Sequence, residues 1–301
     1  MARNLPGDAV DRIAERHDVE VWPERLPPPA GELRRPVEGL LTLLTDPVTA
    51  ELIDASPELR AISNSAVGVD NVDVEAATAR GIPVGHTPGV LTETTADLAL
   101  ALMLGASRRL AEGDAFVRRG DWVTWEPGLL LGRDLHGATV GIVGMGRIGS
   151  AVARRLEGFG ASVLNARDVA LAELLEESDF VTLHCPLTPE TRGLIDAAAL
   201  KRMKPTAYLV NTARGPIVDT DALVAALERE EIAGAALDVT DPEPLPGDHP
   251  LLRAPNLLVL PHLGSATVAT RRRMADMAAD NLLAALDGER MPHCVNPEVY
   301  E

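Results

Sequence analysis

Short apolar runs alternate with amphipathic stretches along the whole chain, the pattern of an α/β protein in which strands and helices take turns around parallel sheets. In the first third, Val19–Trp22, Leu40–Thr45 and Ala61–Ser63 read as strands, and helical spacing covers Asp8–His17, Val48–Asp54 and Val74–Arg80. A long helix is predicted from Thr92 to Arg118, where Leu98, Leu102, Ala106 and Leu110 recur every four residues. The segment after it, GDWVTWEPGLLLGRDLHG, carries few helix signals. Thr139–Val143, Ser162–Leu164, Phe180–His184, Tyr208–Asn211, Ala235–Asp238 and Leu257–Leu260 then read as strands. Arg147–Glu157, Val169–Glu176 and Asp221–Glu228 read as helices among them, and a last helix spans Val268–Leu286. Roughly six strands in the second half is the number expected of a complete dinucleotide-binding domain. PPPAGEL at 27–33 reads as a local proline turn.

Composition narrows the classes. The 301 residues are 46% hydrophobic, enough for a sizeable core and against disorder or a fibre. A net charge of −17 with no long Lys/Arg run argues against nucleic acid as a partner. Two cysteines, Cys185 and Cys294, give neither a disulfide framework nor a CxxC metal site. No signal-peptide core and no 18-residue uncharged run occurs, so a soluble, cytoplasmic chain with no membrane association is expected.

Gly144, Gly146 and Gly149 spell G-x-G-x-x-G at the end of the predicted strand Thr139–Val143 and the start of the predicted helix Arg147–Glu157. The first glycine allows a tight turn, the second lets backbone approach a pyrophosphate, and the third lets the helix pack closely on the strand. The helix N-terminus then directs N–H groups at the anion. The acidic residue expected about 20 positions on, to hold the ribose hydroxyl of NAD, is not clearly present. Asn165 and Arg167 suit a 2′-phosphate, because a guanidinium binds phosphate bidentately. The alternative is that Asp168 would hold the ribose or cap the helix that follows, so NADP or NAD is expected, with a lean toward NADPH.

Downstream, Arg214 in LVNTARGPIVD, Glu243 in LDVTDPEPLP and His262 in VLPHLGSAT each follow a predicted strand, where α/β sheets place ligands. Singly, each has an ordinary explanation as a surface ion pair, a solvated acid or a helix cap. With NSAVGVDNVDVEAATARGIPVGHTPGVLTETTADLAL, HCPLTPETRGLI and MKPTAYLVNTARGPIVD in the same order, the chain resembles the D-2-hydroxyacid dehydrogenase family, most closely its glyoxylate/hydroxypyruvate reductase branch. The resemblance implies two Rossmann-like domains with a cleft between them, a flavodoxin-like substrate domain and a classical NAD(P)-binding domain. It places the substrate domain at 1–95 plus 268–301 and the cofactor domain at 96–267. It also implies NAD(P)H-dependent reduction of a small 2-oxo acid to the D-2-hydroxy acid. His262 would be the acid and base at the carbonyl oxygen, Glu243 its partner, and Arg214 the group that binds and polarises the substrate.

Further positions match the family by motif. Val67 and Gly68 would offer backbone N–H groups to the substrate carboxylate, and Ser265 would orient the substrate or His262. Thr95 and Asp238 would lie near the nicotinamide, Arg147 and Ile148 at the pyrophosphate, and Pro186 on the adenosine side. Thr212, Ala213 and Gly264 would line the same cofactor. Trp122 and Trp125 resemble the reductase branch, where the second Trp reaches the neighbouring subunit's substrate pocket, so a homodimer through segment 110–135 is expected. His184 reads as a strand-end residue and Cys185 as a buried thiol. Three places are shorter than the family pattern: the N-terminus, the stretch before Leu40, and Leu164–Asp168, where the family runs through a loop, a helix and a further strand. The raw sheet edge this would leave favours stretches absent from the sequence over a naturally compact protein. Other acids (phosphite, 3-phosphoglycerate, lactate) and a nucleotide-sensing corepressor-like binding protein are the alternatives on the same fold.

Overall fold

A computed structural model describes residues 4–24 and 36–301, so the proline turn at 27–33 lies outside the described residues. The chain divides into two compact units, Met1–Leu91 with Ala266–Glu301, and Thr92–Ser265.

The first unit holds a parallel sheet of β1 (Gly39–Thr42), β2 (Ala61–Asn64) and β3 (Val84–Gly85), in that order. Strand residues alternate between its two faces, as a period of two requires. Leu41 and Ala61 pack with α1 (Ala9–Ala14) and α10 (Val268–Leu286). Leu40, Ile62 and Val84 pack with α2 (Ala50–Asp54) and α3 (Val74–Ala79). The helices start on side-chain caps: Thr49, Asp73 and Thr267 accept from the backbone N–H three residues on.

The second unit is a six-stranded parallel sheet in the order β5-β4-β6-β7-β8-β9. Its strands are β4 (Thr139–Val143), β5 (Ser162–Asn165), β6 (Phe180–Leu183), β7 (Tyr208–Asn211), β8 (Gly234–Leu237) and β9 (Leu257–Val259). On one face Val140, Ile142, Val210 and Ala236 pack against α4 (Thr92–Ser107) and α6 (Arg147–Glu157). On the other Val181, Leu209, Ala235 and Leu237 pack against α7 (Leu171–Glu177), α8 (Ala197–Arg202) and α9 (Thr220–Glu228). The chain goes from β4 outward to β5, then returns to β6 on β4's other side. That reversal makes the carboxyl ends of β4 and β6 a topological switch point, where open α/β sheets bind ligands.

Three sequence expectations change. Val19–Trp22 forms no strand: among the described residues no strand pairs with β1's outer side, and an apolar run without a ladder partner stays irregular. The helix from Thr92 to Arg118 is two, α4 and α5 (Leu110–Arg118), broken at Arg109, whose φ of 53° is left-handed. Arg133 N–H takes the carbonyl of Ser107 at 2.9 Å and Gly132 packs on the same oxygen, so the first helix cannot continue. The strand expected at Leu40–Thr45 stops at Thr42, because Asp46 accepts from Leu43 N–H at 2.7 Å and folds the chain into a turn. The short β3 and α8 carried no expectation. Between β5 and α7 the chain makes a single turn on Asn165, whose carbonyl accepts from the N–H groups of Asp168 and Val169, and β5 is the edge of the sheet.

Candidate active site

The glycine loop sits at the switch point. Gly144, at φ 102°, follows β4, and a Cβ there would lie 2.4 Å from Cys185 N and 2.5 Å from His184 C, so only glycine allows β4's end to pass β6's. A Cβ on Gly149 would lie 2.2 Å from Gly144 O, which is the close helix-to-strand packing expected of the third glycine. Gly146, at the N-cap of α6, has nothing within 4 Å of its Cβ position. The loop therefore packs tightly at its two ends and is open in the middle, in front of an 11-residue helix N-terminus. Arg147 is exposed and Ile148 half-buried there, so the residues present fit a pyrophosphate.

At the end of β6, His184 is enclosed between two hydroxyls. Thr182 Oγ1 lies 2.9 Å from its Nε2 and Thr212 Oγ1 3.2 Å from its Nδ1. Burial pushes this imidazole down to about 4, so it is neutral at physiological pH. Burial also pushes the Cys185 thiol up. His184 thus ties β6 to the segment after β7 that carries Thr212, Ala213 and Arg214.

That segment is shaped by Asn211, fully buried at the end of β7. Its Oδ1 accepts from Ala213 N–H at 2.9 Å and its Nδ2 donates to Arg214 O at 2.8 Å. Arg214 Nη1 donates to Ala213 O at 2.8 Å. The next residue, Gly215, passes so close to the loop after β8 that a Cβ would lie 2.0 Å from Thr240 O. Within that loop, Glu243 Oε2 accepts from Thr240 N–H at 3.3 Å, and the peptides Asp241–Pro242 and Glu243–Pro244 are cis.

His262 Nδ1 lies 2.6 Å from Glu243 Oε1, a short bond of the kind a charged acceptor makes. With the carboxylate oxygen as acceptor, Nδ1 carries the proton of this bond and Nε2 is the ring nitrogen outside the pair. His262 has a φ of 57°, in the left-handed region. Three bonds to one residue hold it there: His262 N–H donates to Asp238 O at 2.9 Å, and Leu263 and Gly264 N–H donate to the Asp238 carboxylate at 2.6 and 2.7 Å. Asp238 is only 1% exposed; burial raises its carboxyl above the ordinary range, and the two N–H donors offset part of that. Thr95 Oγ1 donates to Gly264 O at 2.9 Å and closes the cluster, with Ser265 buried beside it.

The structure thus joins Thr95, Asp238, Glu243, His262 and Gly264 in one bonded group and packs the turn after Arg214 against it. Arg167 stands apart at the end of β5, exposed, with its backbone N–H on Asn165 Oδ1 at 2.9 Å; the Asn165 amide bonds the Asp168 carboxylate. Pro186 is exposed after β6, its carbonyl accepting from Thr191 Oγ1. Val67 and Gly68 belong to the other unit, and Trp125 is 77% exposed. The reading of the sequence missed Asn211, Thr182 and Thr240. An Asn directly after an apolar strand is an Asx-turn signal that could have marked the first; nothing marked the other two.

The sequence profile of the D-isomer specific 2-hydroxyacid dehydrogenase NAD-binding domain matches residues 100–264. A glyoxylate reductase of Korarchaeum cryptofilum is 49% identical over all of this chain and 96% of its own length. A crystal structure from Thermus thermophilus superposes with a TM-score of 0.92 at 51% identity, covering 98% of both chains. An NADPH-dependent glyoxylate/hydroxypyruvate reductase of Sinorhizobium meliloti, solved with NADP and malonate, gives 0.86 at 35% identity over 98% of this chain and 95% of that one. With a profile match over more than half its length and a relative of this identity across the whole of it, the chain belongs to the D-isomer specific 2-hydroxyacid dehydrogenase family.

Proposed function

We propose that the protein reduces a small 2-oxo acid, glyoxylate or hydroxypyruvate, to the D-2-hydroxy acid with a nicotinamide cofactor. The observation that carries this reading is the 2.6 Å His262–Glu243 pair on a turn fixed by Asp238, packed beside the turn that presents Arg214. When bound, the reduced nicotinamide supplies the hydride. Gly144, Gly146, Gly149, Arg147 and Ile148 hold its pyrophosphate, with Thr95, Pro186, Thr212, Ala213, Asp238 and Gly264 along the rest of the cofactor.

His262 Nε2 gives its proton to the carbonyl oxygen as the carbon becomes tetrahedral, and takes it back in the oxidative direction. Glu243 stabilises the imidazolium and fixes the ring. Arg214 binds the substrate and balances the charge that develops on oxygen, and Ser265 helps orient the acid. The Val67–Gly68 loop receives the carboxylate on backbone N–H groups. Arg167, exposed at the end of β5, supports NADPH over NADH, as does the NADP-bound relative.

The same proposal includes a homodimer through 110–135. Helix α5 buries none of its residues, and Trp122, Val123, Trp125 and Leu131 after it are all more than half exposed, a surface that a second copy would cover. Among the described residues no helix is long and apolar enough to cross a membrane. Loss of absorbance at the reduced nicotinamide band, with NADPH and NADH each offered glyoxylate and hydroxypyruvate, tests the reading. Turnover with a preference for NADPH is expected; a folded protein without turnover on either acid overturns it.

A further inference from the structure

In the three-stranded unit, two strands end on side chains whose bonds converge on one loop. Asn64, the last residue of β2, is fully buried. Its Nδ2 donates to Gly68 O at 3.0 Å and Asn71 Oδ1 at 2.9 Å, and its Oδ1 accepts from Thr42 Oγ1 at 3.2 Å. Just past β3, His86 Nδ1 lies 3.0 Å from Val67 O. A carbonyl oxygen can only accept, so Nδ1 carries a proton. The backbone of His86 is fixed on both sides. Its N–H donates to His293 O at 3.0 Å, its carbonyl accepts from the Asn281 amide at 2.9 Å, and Thr87 N–H donates to Ala66 O at 2.9 Å.

A trans peptide unit is planar, with C=O and N–H on opposite sides. The His86 bond to the Val67 carbonyl therefore sets where the N–H of Gly68 points. Asn64 does the same for the next plane, through Gly68 O and Val69 N–H. Among the described residues neither of these N–H groups is bonded to an acceptor. Each of these donors is thus fixed from behind by a side chain bonded to the carbonyl of its own peptide. A donor on each carbonyl also polarises the attached N–H and strengthens it.

We propose that His86 is a positioning residue for substrate recognition: its Nδ1–H fixes the Val67–Gly68 peptide so that the Gly68 N–H meets the carboxylate of the 2-oxo acid. This rests on the reading of that loop given above. The ring does not take part in proton transfer. Its contribution appears in substrate affinity, and the imidazole and the imidazolium both serve, since each has a proton on Nδ1.

The test is the KM for glyoxylate at saturating reduced nicotinamide in wild type, His86→Ala, His86→Asn and His86→Gln, with cofactor Kd from nicotinamide fluorescence. An Asn amide nitrogen lies as many bonds from Cβ as Nδ1 does; a Gln amide lies one carbon further. His86→Ala and His86→Gln are expected to raise KM about tenfold, the loss of one oriented hydrogen bond, with kcat within about threefold and cofactor Kd unchanged. His86→Asn is expected to stay within about twofold of wild type. Equal KM values for Asn and Gln, or a loss confined to kcat, overturn the proposal even if His86→Ala fails to fold. Wild-type protein that binds nicotinamide but turns over no 2-oxo acid overturns the underlying reading, and this inference with it.

Discussion

His184 gives a prediction about stability that needs no substrate. Its imidazole is pushed from 6.5 down to about 4 by burial between β6 and β7. Between those two values the unfolded chain binds a proton at this position and the folded protein does not. Stability therefore rises with pH across that window and is lost as pH falls through it, levelling off below about 4. The full difference is about 3 kcal/mol, from a shift of about 2.5 units at 1.36 kcal/mol each. Lowering the pH from 7.5 to 5 engages about 2 kcal/mol of it.

The perturbation is His184→Gln, which keeps an amide near the Thr182 and Thr212 hydroxyls and cannot titrate. Urea unfolding of both proteins, followed by circular dichroism at a series of pH values, isolates the effect, because every other titrating group cancels in the difference. At pH 7.5 the variant is expected to be the less stable, having exchanged a fitted ring for a flexible chain. By pH 5 the balance should have moved about 2 kcal/mol toward the variant. Curves that run parallel to within about 0.5 kcal/mol would refute the reasoning and mean that His184 is protonated, or wet, in the folded protein.

The glycine loop separates packing from binding. Gly149→Ala, whose Cβ would meet Gly144 O at 2.2 Å, should lower stability by about 1–3 kcal/mol, read as a drop of several degrees in Tm. Gly146→Ala meets nothing and should keep its Tm while weakening nicotinamide binding measured by fluorescence titration. Glu243→Gln keeps the shape of the His262 pair but removes its charge, and kcat should fall about tenfold to a hundredfold in steady-state assays. Arg214→Lys should raise KM and lower kcat together, because a lysine cannot reproduce the planar fork of the guanidinium.

Much of the fold was legible because strands buried on both faces read as apolar runs and helices by their 3.6-residue spacing: strands β4 and β7 and helices α6 and α10 have the bounds that their patterns predict. The strand over Leu40–Thr45 was cut short locally, by the Asp46 turn, while the other two failures were decided by partners distant in sequence or, among the described residues, missing. Periodicity over Thr92–Arg118 is continuous, yet the chain near Gly132 captures the Ser107 carbonyl and ends the helix. Val19–Trp22 has strand residues but no strand beside it among the described residues. The candidate site followed the same rule. Arg214, Glu243 and His262 were visible through motif and spacing, and so was Asp238, expected near the nicotinamide. That both its carboxylate oxygens hold the His262 turn was not visible, since it depends on a left-handed backbone at His262. The clamps on the Arg214 turn and the Val67–Gly68 loop are hydrogen bonds from the buried Asn211 and Asn64 and the half-buried His86, which leave no periodic trace.

The central claim is that His262, held by Glu243, supplies the proton while the glycine loop binds the cofactor independently. The most direct measurement is a single-turnover reaction of His262→Ala and wild type, each premixed with reduced nicotinamide and then with glyoxylate, alongside the Kd for the nicotinamide. The account predicts a loss of several orders of magnitude in the rate with the nicotinamide Kd changed less than about threefold, since general acid catalysis contributes roughly 10²–10⁴-fold on its own. A variant that reacts at the wild-type rate, or one whose slow turnover is matched by an equal loss of cofactor binding, would contradict it.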